Sequence, residues 1–179
     1  MPVREALARL VAEQALETMP NRTVRIPLLS RARLEDLAAT RAAIEGEALR
    51  RSVPRLTDED IAALSELTDR YDAALASDEG LPSEASELNH AFHHRLYRTS
   101  GSKVLMPIIE SLWLQSGPYV RAAAETYRRD NAIAATQHHR ALIKALEARD
   151  EAAACDALTA DIDFAFSLVR DKLWVPPDA

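Results

Sequence analysis

Four polar residues stand where helical periodicity calls for apolar ones. Asn89 and His93 are four residues apart beside the stripe Leu88, Phe92 and Leu96, which puts both side chains on one helix face. His139 lies among Ala135, Leu142, Ile143 and Leu146, and Asp161 among Ala154, Leu158, Phe164, Ala165 and Leu168. An amide oxygen, two imidazoles and a carboxylate form a mixed nitrogen and oxygen donor set that suits a divalent transition metal such as zinc, nickel or manganese. A carboxylate in an apolar stripe needs a cationic partner in any case. Without a metal, Asp161 would pair with His93 or His139 in a buried hydrogen-bonded cluster.

The elements that must position these groups read as helices almost throughout. Val3 to Thr18 is expected as a first helix, opened by Pro2, with Ala6, Leu7, Leu10, Val11 and Leu16 inward. Residues 19–23 form a turn, and Val24-Arg25-Ile26 alternates as a short strand before Pro27. The next helix spans Arg31 to Ser52, stopping near Pro54. Thr57-Asp58-Glu59-Asp60 is a capping box that starts a helix to about Ser77. Gly80 and Pro82 mark a loop, Ser83 opens a helix through about Thr99, and Gly101 ends it. A long helix from Lys103 to about Arg129 is expected to kink at Gly117-Pro118. Two last helices run from about Asn131 to Ala148 and from Asp150 to Leu173, closed by Pro176-Pro177. With a turn near Arg149-Asp150, His139 and Asp161 each stand roughly 16 Å from it at 1.5 Å rise per residue. In an antiparallel hairpin they come level.

Composition agrees with this reading. The chain has 179 residues, 47% of them hydrophobic but only 5% aromatic, with four glycines. That favours helices and is enough for one core with an appendage. No apolar run is long enough to span a membrane and no signal peptide is evident, so the chain reads as soluble and cytoplasmic, with no membrane partner. Its single cysteine, Cys155, sits among alanines and is read as core packing. Residues 1–33 carry six arginines against three glutamates, whereas the whole chain has 22 basic and 28 acidic residues. A basic N-terminal piece on an acidic body points to nucleic acid at one end or to a solvated helix face.

Several motifs together carry a resemblance. Met1-Pro2-Val3-Arg4-Glu5-Ala6-Leu7 with Leu10 and Glu13, then Pro20-Asn21-Arg22, resembles the recognition helix and wing of GntR-type winged-helix transcription regulators. The body resembles the helical ligand-binding FCD domain of the FadR-like subfamily through Arg41-x-x-Ile44-Glu45, Leu88-Asn89-x-x-Phe92-His93, Thr99-Ser100-Gly101-Ser102 and His139-Arg140-Ala141-Leu142-Ile143-x-Ala145-Leu146. The resemblance implies an all-α, antiparallel helical bundle, FCD-like, over residues 30–179. A remnant of a winged-helix DNA-binding domain precedes it over residues 1–29. It further implies a metal held by Asn89, His93, His139 and Asp161. Two of these depart from the family set, because Asn89 stands where a carboxylate is usual and Asp161 where an imidazole is usual.

The resemblance also implies a small carboxylate effector in a cavity faced by Arg41 and, more weakly, by Arg121. Arg41 can equally form an ion pair with Glu45, one turn on. Operator DNA is the implied partner, with Arg4 reaching bases or phosphate, and the active form is a homodimer. The first two helices of a complete helix-turn-helix unit would precede Met1, and the wing has Gln14 and Thr23 where glycines are usual. Either truncation or loss of DNA binding is expected from that departure. His90, His94 and His138 lie about 100° around their helices from the proposed ligands and are expected at solvent or an interface. His138 would replace His139 if the register shifted by one. A helical metal-dependent enzyme acting on a small carboxylate is the alternative, although no HExxH-type signature is present.

Overall fold

The computed structural model describes residues 2–28, 30–76, 82–130 and 135–170, with the backbone alone at 82, 122–130 and 135. It is all-α apart from one two-stranded ribbon. In chain order the elements are α1 (Pro2–Ala12), β1 (Glu17–Thr18), β2 (Val24–Arg25), α2 (Arg31–Ser52), a 3-10 turn (Val53–Arg55), α3 (Asp58–Ala76), α4 (Pro82–Arg98), α5 (Leu105–Asp130), α6 (Ala135–Glu147) and α7 (Glu151–Arg170). The expected loop at Gly80 and the outer ends at Asn131 and Leu173 lie outside the described residues.

The helix boundaries follow from short polar side chains that satisfy free backbone amides. Ser30 caps α2 by accepting from Arg33 N at 3.3 Å. The capping box forms as expected: Thr57 Oγ1 accepts from Asp60 N at 3.1 Å and Asp60 Oδ2 from Thr57 N at 3.1 Å. Ser102 caps α5, accepting from Leu105 N at 3.1 Å, which delays that helix beyond Lys103. Asp150 caps α7 through Ala153 N at 3.0 Å. Gly101 ends the α4 connection with φ 66°, as its freedom from a Cβ allows.

Two turns place non-glycine residues in the left-handed region. In the α6–α7 turn Arg149 has φ 57°, and the bonds Asp150 N to Ala145 O (2.9 Å) and Arg149 N to Leu146 O (3.1 Å) close a Schellman motif. The Arg149 guanidinium anchors that turn by donating to the carbonyls of Leu56 (2.6 Å) and Val53 (3.3 Å). The same motif ends α1 at Ala12, six residues short of the expected Thr18, with Gln14 at φ 59° and Ala15 N bonded to Leu10 O at 2.9 Å. Gln14 therefore takes the glycine-like conformation that its position implied. In the wing it is Arg22, with φ 63°, rather than Thr23 that does so. The freed residues form β1, which pairs antiparallel with β2 in the register Glu17 to Arg25 and Thr18 to Val24.

Helices α2 to α7 enclose a main core, and a smaller cluster of Ala74, Leu75, Ala85 and Leu88 joins the end of α3 to the start of α4. α6 packs on α7, α3 on α4, α2 on α7, and α5 bridges α2 and α7. Phe92, Leu96, Tyr97, Leu142, Leu146, Leu158 and Phe166 are fully buried in the main core. α5 continues as one helix through Gly117-Pro118, where glycine relieves the clash that proline imposes on the preceding residue. Pro118 lacks the amide that would bond Leu114 O. α1 is different: no residue of it is buried, so the inward positions expected at Leu7, Leu10 and Val11 are only partly covered. Nothing else among the described residues packs over that face closely enough to close it.

Candidate metal centre

The hairpin α6–α7 does bring His139 and Asp161 level, and α4 supplies the third group. His93 Nε2 lies 3.1 Å from Asp161 Oδ2 and 3.3 Å from His139 Nε2, and His139 Nε2 is 3.7 Å from Asp161 Oδ1. Both imidazoles are about 1% exposed and Asp161 is 13% exposed, so the triad meets solvent mainly through Asp161. Ligand atoms about 2.1 Å from an ion are separated by about 3.0 Å at octahedral angles and about 3.4 Å at tetrahedral ones. The three observed separations, from 3.1 to 3.7 Å, lie within a few tenths of an ångström of these values.

The proton inventory of His93 sharpens the point. Arg41 Nε donates to Glu45 Oε1 at 2.6 Å, and Tyr97 donates its hydroxyl proton to Glu45 Oε2 at 2.6 Å. Having given away its one proton, Tyr97 can only accept from His93 Nδ1, 3.1 Å away. The proton of the neutral ring is thereby fixed on Nδ1, leaving a bare lone pair on Nε2 that faces a carboxylate oxygen at 3.1 Å. Two acceptors that close require a positive charge between them. A metal ion supplies it, or a further proton on His93. The donor set thus fits a divalent transition metal, with a buried partner chain behind one imidazole of the kind that orients metal ligands.

His139 is held differently. Its ring stacks on Phe92 with centroids 4.0 Å apart and lies 5.5 Å from Tyr71. Burial pushes its pKa down to about 4 against the pull of Asp161, so the ring is neutral and able to ligate at neutral pH. Its Nδ1 is buried without a hydrogen-bond partner among the described residues, unlike the supported Nδ1 of His93. Burial alone would raise the Asp161 carboxyl, yet the charge that His139 and His93 carry when protonated holds it below its ordinary value.

Of the residues singled out from sequence, His93, His139 and Asp161 come together. Asn89 is partly exposed one turn before His93 on the same helix and makes no hydrogen bond to a described residue. His138 is half-buried against Phe164, centroids 5.2 Å apart, and leaves the inward place to His139. His90 is exposed and His94 half-buried, stacked on one another at 5.2 Å.

Arg41 is buried in its ion pair with Glu45 and lies 4.4 Å over the ring of Trp113. Arg121 is exposed and lines a cavity between α4 and α5 that Arg41 does not line. Arg4 is exposed in the first turn of α1, 13 residues before the ribbon. Two site residues were missed. Tyr97 had a signal, one turn beyond His93 on the same face. Trp113, centroid 5.3 Å from His93, had none, because α5's rotation against α4 is not encoded in its own periodicity.

Residues 36–164 match the FCD domain family. The chain belongs to this family. Among curated relatives it is 29% identical to the HTH-type transcriptional regulator McbR of Escherichia coli over 150 residues, 84% of this chain and 67% of that protein. It is 30% identical to the HTH-type transcriptional regulator BphR of Paraburkholderia xenovorans over 175 residues, 94% of this chain and 69% of that one. The chain thus spans about two thirds of the length of either. Its fold matches the solved structure of E. coli McbR with a TM-score of 0.85 at 25% identity, covering 94% of this chain and 83% of that one. A GntR family regulator from Pseudomonas syringae matches with a TM-score of 0.59 at 26% identity, over 96% of this chain and 70% of that one. The body is therefore the FCD-type helical domain of a GntR-family transcriptional regulator. Among the described residues no helix is long and apolar enough to cross a membrane.

Proposed function

We propose that this chain is a ligand-responsive regulator whose helical domain holds one divalent transition metal, zinc, nickel or manganese, at His93, His139 and Asp161 with Asn89 as a fourth donor. The observation that carries this is the bare Nε2 of His93 facing the Asp161 carboxylate at 3.1 Å inside a buried cluster. When bound, the ion supplies positive charge for an anionic effector. The effector is a small carboxylate, and Arg121, in the neighbouring cavity, is the other cationic group offered to it. Arg41 reaches it only by giving up Glu45.

The names of the relatives favour a regulator over a metal-dependent enzyme acting on such a carboxylate. Residues 1–29 are read as the winged-helix portion, with α1 as its recognition helix and Arg4 as the residue offered to operator DNA. The working form is a cytoplasmic homodimer on a two-fold operator. Sedimentation at micromolar concentration should give about twice the 19.8 kDa chain mass.

Elemental analysis of the purified chain tests the metal directly. Close to one transition metal per chain is expected, and almost none in His139→Ala. Absence of metal from both proteins after supplementation would leave a proton in the place assigned to the ion.

A further inference from the structure

The second chemical feature of the molecule is a cavity of about 1050 Å³ between α4 and α5, at the upper end of the range for small-molecule sites. It does not contain the metal cluster. Trp113 separates them, lining the cavity while its ring lies 5.3 Å from the His93 ring and 4.4 Å from the Arg41 guanidinium.

The two helices run antiparallel here, so the lining is graded along its length. Arg121 and Ser83 lie at one end and the His94–Glu110 pair, 3.4 Å apart, at the other. The eleven residues from Glu110 to Arg121 span roughly 16 Å of helix. Between the ends the α5 wall is apolar, made by Trp113, Leu114 and Val120, and the α4 wall is polar, made by Ser86, Glu87 and His90. Leu114 is 42% exposed and lines this opening. At Gly117 a Cβ would meet nothing within 4 Å, so the floor there opens onto empty space.

We propose that this cavity binds a ring-bearing organic monoanion, its carboxylate at Arg121 and its ring against Trp113 and Leu114 above Gly117. This rests on the reading of the chain as an effector-responsive regulator and moves the effector's acid group from the ion to Arg121. A guanidinium takes a carboxylate bidentately, and an indole wall favours a flat apolar body. Glu87 and Glu110 also line the cavity, and even with Glu110 facing His94 a second negative charge there is repelled, so a diacid binds more weakly. Because Trp113 also touches His90 edge-on at 5.2 Å, a ring seated on it is felt by both α4 histidine positions, one facing the cavity and one facing the cluster.

Calorimetric titration of the whole chain with 2-naphthoate tests the assignment, with acetate and 2,6-naphthalenedicarboxylate as controls. Saturable binding of one 2-naphthoate per chain is expected, with both controls binding more weakly. Arg121→Gln, which removes one charge-assisted pair, should weaken it by about tenfold or more. Leu114→Trp, which fills the cavity from an exposed position, should weaken it at least as much while leaving the helical circular dichroism unchanged. His139→Ala should leave 2-naphthoate affinity within about threefold even where it removes the metal. Lack of saturable binding, or binding that both cavity variants leave unaltered, would overturn the proposal. Binding lost with His139→Ala but not with Arg121→Gln would put the ligand at the cluster instead. The metal content of the unmodified chain, measured separately, tells failure of this inference from failure of the metal assignment.

Discussion

Helices α1 and α6 carry apolar stripes of the same kind and meet opposite fates. Leu142, Ile143 and Leu146 of α6 are buried against α7 and α3, whereas Leu7, Leu10 and Val11 of α1 remain partly open. A fully buried aliphatic side chain contributes about 1.5–3 kcal/mol, so α6 is fixed by its own packing. α1 has no comparable term. The turn that follows it is tied to the body by a polar contact, Arg33 Nη2 donating to Gln14 O at 3.0 Å while the same nitrogen donates to Gln115 Oε1 at 3.4 Å. The difference teaches that an amphipathic pattern specifies a face and not its cover. The body is organised around a buried charge network; the N-terminal unit rests on that body by its polar rim.

The contrast can be broken most severely at Arg41. Arg41→Ala leaves Glu45 buried without its counter-ion, and urea denaturation should show a loss of about 3–5 kcal/mol. A loss below about 1 kcal/mol would mean that the network is not what organises the body.

Acidification should act on the same region. In chelator-treated protein His139 titrates near pH 4 when folded, against about 6.5 when unfolded. Between those values the unfolded chain binds a proton that the folded chain refuses, so stability must fall as pH drops from 6.5 towards 4. The loss is on the order of 3 kcal/mol. Asp161, held below its ordinary value, adds a further loss once pH falls below the usual carboxylate range. Urea midpoints that stay level between pH 7 and pH 4.5 would contradict this.

Glu45→Gln asks a finer question. An amide can donate to the Tyr97 oxygen, freeing the Tyr97 proton for His93 Nδ1 and driving the imidazole proton onto Nε2. Metal affinity, measured by competition with a chromophoric chelator, should then drop by about 10–100-fold, as for other changes behind a metal-bound histidine. Unchanged affinity would show that the partner chain does not set the tautomer.

The smallest effect is expected in α1. Leu10→Ala should change global stability by less than about 0.5 kcal/mol, because the side chain has little burial to lose. A cost matching a core leucine, about 2–5 kcal/mol, would show that α1 is covered in solution.

Much of the body was legible in advance for identifiable reasons. His139 and Asp161 could be paired because each is about eleven residues from a turn that a helix break marks, and the rise per residue is fixed. Thr57 and Asp60 announced their own capping box. The Arg41–Glu45 pair followed from spacing alone. What spacing could not supply was the relation between helices far apart in sequence. Tyr97 reaches Glu45 across 52 positions, and Trp113 meets His93 only because α5 turns that face towards α4. The early end of α1 was hidden for another reason: Gln14 occupies a backbone conformation that its residue type does not advertise.

Pro118 makes α5 a beam with a notch. The ladder lacks one rung at Leu114, and Ser116 draws on the Leu112 carbonyl at 2.7 Å just before it, a second softening of the same turn. The two places where α5 grips the start of α2 straddle this notch. Gln115 holds Arg33 on one side, and Tyr119, bonded to both the amide and the carbonyl of Ser30 at 3.3 Å, holds the helix cap on the other. A beam that flexes between its two clamps converts a small angular change into a change of clamp spacing. A bend of α5 therefore cannot stay private to α5: it changes the spacing of the two clamps on the start of α2, the segment into which residues 2–28 lead.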